Sequence, residues 1–116
     1  HPRTLSSVKD DRVYLQHIRD AIVRLASYTH GGRDAFLNTP QIQDAVARNL
    51  EIIGEAVKHL SDQLREQHSD IPWKRIAGMR DELIHEYFGI DPLIVWNVIE
   101  HHLPALSRRI NDLLDT

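Results

Sequence analysis

Two helix starts are written into this chain in the same way, a capping side chain followed at once by proline: Thr39-Pro40 and Asp91-Pro92. A cap oxygen accepts from an early backbone N–H, and proline at the first helical position has no N–H to leave unpaired. Around these starts, apolar residues recur at three- and four-residue intervals. From Asp10 to about Tyr28 they are Tyr14, Leu15, Ile18, Ala21, Ile22 and Leu25, and His30-Gly31-Gly32 then stops the helix. From Pro40 to about Leu60 they are Ile42, Ala45, Val46, Ile53, Ala56, Val57 and Leu60. Ser61-Asp62 opens a short polar turn or helix ending near His68. Ser69-Asp70-Ile71-Pro72 opens a third main helix, expected to run to about Phe88 and close on Gly89 in a left-handed cap. The fourth, from Asp91-Pro92, is apolar nearly all round, with Leu93, Ile94, Val95, Trp96, Val98 and Ile99. Such a helix is deeply packed or partly in an interface. Pro104 predicts a kink or break before a last segment, Ala105 to Leu114. No alternating run and no Asn-Gly or Asp-Gly turn marks a strand. The expected class is all-α, a four-helix up-and-down-type bundle with short extra helices.

At 116 residues the chain fits one domain, residues 10–116. Residues 1–9 lack periodicity and an initiating Met, and read as a leader or expression remnant, flexible and without function. No apolar run approaches the ~20 residues of a membrane span. The absence of cysteine removes disulfides and thiolate metal sites and fits a cytoplasmic location. A net charge of −3 gives no mean field for nucleic acid, so any RNA contact needs a local patch. Lys74 and Arg75 near Arg80, with Arg48 and Lys58 on the second helix, are the candidates, although such residues are more commonly solvated helix charges. Gly54, inside a helix, costs about 0.5–1 kcal/mol relative to alanine, which a close helix approach would offset.

The chemistry-bearing segment is Gly78-Met79-Arg80-Asp81-Glu82-Leu83-Ile84-His85-Glu86-Tyr87-Phe88-Gly89. On a helical projection with Arg80 at zero, Ile76, Met79, Leu83 and Tyr87 fall between about −100° and −20°, and Ile84 at about 40°. Arg80 therefore lies in the apolar sector of its own helix. His85 lies about 140° round, with Asp81 roughly 40° from it, close enough at i,i+4 to orient the ring. A cation among apolar residues needs a partner. One reading pairs Arg80 with a buried carboxylate, Glu51 or Glu55, in a purely structural role. The other turns that sector toward a second subunit. His85 and Tyr87, each taken alone, also fit surface and helix-end packing roles.

The spacing of Arg80, four residues, His85, one residue, Tyr87 resembles the signature of HepT-type toxins of the HEPN superfamily. Asp11-Arg12-Val13-Tyr14-Leu15-Gln16-His17-Ile18 resembles the family's opening helix, and Arg48-Asn49-Leu50-Glu51-Ile52-Ile53-Gly54-Glu55-Ala56 its second-helix block. Pro72 to Arg80 resembles the lead-in to the motif, so the likeness spans about residues 11 to 110. It implies a HEPN-like fold and a metal-independent endoribonuclease, the toxin of a two-component module, with RNA as substrate. It also implies a homodimer in which motif residues of two subunits share a cleft. Arg80 would then stabilise phosphate charge, His85 would act as general acid or base, and Asp81 would orient it. Tyr87 would accept AMP from a minimal nucleotidyltransferase antitoxin. No cofactor or metal is implied.

Two other readings compete. Glu82-Leu83-Ile84-His85 has the Glu-x-x-His spacing of di-iron carboxylate bundles, with Glu51 and Glu55 as further carboxylates, but only one such motif is present. The second is a non-catalytic HEPN-type nucleotide- or partner-binding module, which fits an acidic chain without a broad basic stripe.

Overall fold

Helix boundaries in the computed structural model follow the chain's capping chemistry. It describes the backbone of residues 2–85 and 91–115 and the side chains of residues 10–83 and 91–115. Among the described residues there are seven helices and no strand: α1 (Pro2–Tyr28), α2 (Arg33–Asn38), α3 (Pro40–Lys58), α4 (Asp62–Gln67), α5 (Trp73–His85), α6 (Pro92–His101) and α7 (Leu103–Leu114). The Asp91 carboxylate accepts from the Leu93 N–H at 2.9 Å, and Ser61 Oγ accepts from the Leu64 N–H at 3.2 Å. Thr39 departs from expectation. It sits in extended backbone ahead of Pro40 but its side chain makes no cap bond. Gln43 closes that corner instead, its Nε2 donating to the Phe36 and Leu37 carbonyls at 3.0 and 3.1 Å.

The first helix starts at Pro2, well before the Asp10 start expected from periodicity. Periodicity reports burial, whereas a helix already nucleated extends one residue at a time through any segment without a breaker. Nothing between Arg3 and Lys9 is a breaker. Gly32, at φ 90°, supplies the left-handed step after α1. The expected Gly89 cap and the α5 end near Phe88 lie outside the described residues.

Helix α3 is the centre of the bundle, packed on α1 on one side and α5 on the other, while α7 covers α1. The core is built from Ile18, Leu25, Phe36, Val46, Leu50, Ile53, Val57 and Ile110. Among the described residues one charged side chain is buried with it. Asp11, only 7% exposed, accepts from the Ser61 N–H at 2.7 Å and the Ser61 hydroxyl at 2.6 Å. That pair ties α1 to the start of α4 and meets the demand that a buried carboxylate be hydrogen-bonded.

The fourth main helix breaks as Pro104 requires, α6 ending at His101 and α7 beginning at Leu103 with the proline in its first turn. Deep packing of α6 is not what forms. Only Ile99 is buried, while Leu93 and Ile94 are 46% and 62% exposed. Among the described residues its main neighbours are α7 and the short α2, which cannot cover an all-round apolar surface. Among the described residues no helix is long and apolar enough to cross a membrane.

Candidate functional site

The site begins with a backbone contact. A Cβ placed on Gly54 would overlap the Arg80 Cβ and lie 3.3 Å from the Arg80 Cα and 3.2 Å from the Ile76 carbonyl oxygen. Only glycine lets α3 and α5 approach this closely, so Gly54 sets the position of Arg80 along the crossing. The next residue secures the side chain. Arg80 Nε lies 2.7 Å from Glu55 Oε2 in an ion pair, and Arg80 NH1 donates to Asp81 Oδ1 at 3.1 Å.

Both carboxylates have further partners. Lys58 Nζ donates to Asp81 Oδ1 at 2.7 Å, and His59 Nε2 lies 3.2 Å from Glu55 Oε1. The His59 ring stacks on Tyr14 of α1 at 4.8 Å, and Tyr14 meets the His17 ring edge-on at 5.7 Å. Side chains of α1, α3 and α5 thus converge on one guanidinium. Beside it is a cleft of about 210 Å³ lined by Tyr14, His17, Arg48, Glu51, Ile52, Glu55, Ala56 and Arg80. The hydrogen bond from Lys58 holds the Asp81 carboxyl below its ordinary pKa, against an opposing desolvation, with Arg80 adding to the lowering.

Of the two expected partners for Arg80, the structure selects Glu55; Glu51 instead lies 3.7 Å from Arg48. The pairing is not buried. The Arg80 and Glu55 side chains are 31% and 47% exposed. That difference matters chemically, because an ion pair open to water leaves the guanidinium accessible to an incoming anion. Asp81 was expected beside His85. Among the described residues its carboxylate binds Lys58 and Arg80. His85 is the last described residue of α5, but its side chain lies outside the described residues, as does all of Tyr87.

Of the four basic candidates for RNA contact, Arg48 lines the cleft with Arg80 and Lys58 binds Asp81 beside it, whereas Lys74 and Arg75 do not join Arg80. Lys74 is exposed on the first turn of α5. Arg75 lines a different hollow, of about 490 Å³, with Ile76, Gly78, Met79 and Glu82 on one wall and Val98, Leu103 and Leu106 on the other. Five residues on a helix is a turn of about 140° beyond a full circle, which separates the two arginines. The same geometry disposes of the di-iron set: Glu82 borders the hollow, whereas Glu51 and Glu55 border the cleft. Among the described residues no three His, Asp or Glu side chains are grouped to hold a metal ion.

The sequence pattern places Tyr14 in the apolar stripe of the first helix and does not single out His59. The i,i+4 spacing of Glu55 and His59 was the available signal. Their meeting with Tyr14 depends on the register between helices.

Comparison with known proteins finds similarity to a ribonuclease-like family. The family described as "Ribonuclease HepT-like" matches residues 18–113. A protein of Caldanaerobacter subterraneus subsp. tengcongensis named "Putative RNase" is 44% identical over 92% of this chain and 96% of its own length. A "Probable ribonuclease HepT" of Thermococcus cleftensis is 39% identical over 86% of this chain and 92% of its own length. A Methanocaldococcus jannaschii protein named "Gamma-glutamylcyclotransferase and putative RNase" is 42% identical over 92% of this chain, which spans 49% of that longer protein. No solved structure matches.

Proposed function

Because the chain belongs to the HepT-like ribonuclease family, we propose that it is a metal-independent endoribonuclease, the toxin of a toxin–antitoxin module, working in the cytoplasm as a homodimer. The observation that carries this reading is Arg80: a guanidinium fixed by carboxylates yet open at the edge of a cleft. Residues 10–116 serve as one catalytic domain.

In the reaction, Arg80 forks onto the scissile phosphate and stabilises the charge that builds on its oxygens. His85 takes the proton from the ribose 2′-hydroxyl, whose oxygen attacks phosphorus. The P–O5′ bond breaks, and a histidine of the second subunit returns a proton to the leaving 5′-oxygen. The products are a 2′,3′-cyclic phosphate and a 5′-hydroxyl. Proton transfer of this kind is worth ~10²–10⁴ in rate. Asp81 orients His85 in that assembly. Lys74 and Arg75 contact the RNA backbone away from the cleft, across the exposed side of α5. The exposed Leu93 and Ile94 of α6 support a dimer, since such residues are covered when subunits meet.

Control falls to Tyr87. A nucleotidyltransferase antitoxin transfers AMP to its hydroxyl from ATP, releasing pyrophosphate. The added phosphodiester brings negative charge close to Arg80 and competes with RNA for it. Tyr87→Phe is expected to cleave RNA but to escape silencing by the partner; a variant still silenced would overturn the modification site.

The alternative is a non-catalytic nucleotide- or partner-binding module, favoured by the neutralisation of Arg80 by Glu55 and Asp81. The two readings separate on purified protein incubated with RNA in chelator. Cleavage by the wild type, with loss in His85→Ala at unchanged thermal stability, supports the enzyme. Equal absence of cleavage in both supports the binding module.

A further inference from the structure

Among the cleft residues to which the proposed chemistry assigns nothing, Glu55 is the one paired with Arg80. We infer that Glu55 is the positioning residue of the site, holding the Arg80 guanidinium in its phosphate-binding orientation, with His59 and Tyr14 bracing it from behind. The inference rests on Arg80 being the phosphate ligand.

Arginine has four rotatable side-chain bonds, and a guanidinium left at a surface samples many rotamers. Immobilising it before substrate arrives removes that cost from the transition state. Glu55 Oε2 lies 2.7 Å from Nε, the nitrogen nearest the stem, in an ion pair, while Asp81 accepts from NH1 at 3.1 Å. Two contacts on different nitrogens fix both the direction of the side chain and the rotation of its plane. The carboxylate is held in turn. Its other oxygen lies 3.2 Å from His59 Nε2, and the His59 ring stacks at 4.8 Å on Tyr14. Placement then passes from α1 to α3 to α5. Gly54 fixes the Arg80 backbone and Glu55 its head group, so adjacent residues of α3 specify one side chain at both ends.

The competing role is masking. A carboxylate on a phosphate-binding arginine could occupy the place of substrate, and the two roles predict opposite signs. Positioning predicts that Glu55→Ala lowers kcat by about 10²-fold, the scale of a 1 Å misplacement, with KM for RNA little changed. Glu55→Gln, which keeps an oxygen and the same side-chain length beside Nε, recovers part of that rate, and His59→Ala gives a smaller loss than Glu55→Ala. Masking predicts that Glu55→Ala and Glu55→Gln both cleave faster or bind RNA more tightly, and either result overturns the inference.

A second measurement does not depend on activity. The Arg80 Nε–H resonance in ¹H–¹⁵N spectra of the folded protein should be sharp and slowly exchanging in the wild type, retained in Glu55→Gln, and lost in Glu55→Ala with thermal stability unchanged. A signal unaffected by Glu55→Ala overturns the positioning role. Arg80→Ala is assayed alongside. If it cleaves like the wild type, the phosphate-binding reading of Arg80 fails, while the resonance still reports whether Glu55 orders that side chain.

Discussion

The two sides of α5 are built on opposite principles. Toward α3, Gly54 brings the backbones into contact, and Glu55 and Lys58 reach across to Arg80 and Asp81. Toward α6 and α7 the helix instead faces the 490 Å³ hollow, floored by Leu50 and Ile53. A glycine marks each side. At Gly54 an added methyl would overlap Arg80, whereas at Gly78 it would meet nothing within 4 Å. The same residue type thus serves close packing on one side and leaves open space on the other. The side that fixes α5 is the side that presents the arginine. Rigidity and the candidate chemistry coincide there, as a site that must be preorganised requires.

One substitution made at both positions tests the contrast most sharply. Gly54→Ala should lower stability by about 1–3 kcal/mol, the cost of overpacking a tight contact, and should displace Arg80 and reduce RNA cleavage. Gly78→Ala should raise the stability of the isolated chain by about 0.5–1 kcal/mol, because helix propensity improves without a clash. Chemical denaturation of the two variants measures both. Equal effects at the two sites would dissolve the distinction between the faces.

A smaller effect separates the faces by acid. Asp81 on the fastened side is held below its ordinary pKa of 3.8, chiefly by the hydrogen bond from Lys58, and Asp70 near the hollow is held below 3.8, chiefly by the hydrogen bond from Arg109. A carboxylate depressed in the folded state contributes stability above its unfolded pKa and loses it as pH falls through the folded value. Both contributions should therefore be present at neutral pH and fade below about pH 4. Lys58→Met should flatten the part of the acid-stability curve due to Asp81 and leave the part due to Asp70, as followed by carboxyl NMR titration. Both pairs are solvent-exposed, so salt should weaken them.

Much of this architecture can be read from local pattern. Proline after a capping residue located the starts of α3 and α6, and Pro104 located the break between α6 and α7. Gly54 signalled a close approach because an interior glycine otherwise carries only cost, and the apolar position of Arg80 signalled a carboxylate partner. What pattern could not supply was register. Asp11 and Ser61 are fifty positions apart, and their pairing depends on how α1 lies against the start of α4. Tyr14, His59 and Glu55 converge only once α1 and α3 are packed. The exposure of α6 was hidden for the same reason: an apolar helix reads alike whether its own chain or another molecule covers it.

The central claim is that the fastened face of α5 carries the active arginine of a ribonuclease. Its most direct test compares RNA incubated in chelator with the wild type and with Arg80→Ala, both shown to be folded, and identifies the new ends. The account predicts 2′,3′-cyclic phosphate and 5′-hydroxyl ends from the wild type and a loss of at least about 10²-fold in Arg80→Ala, the scale of removing a preorganised oxyanion donor. Equal cleavage by the two proteins, or a wild type that leaves RNA intact unless a metal ion is supplied, would contradict it.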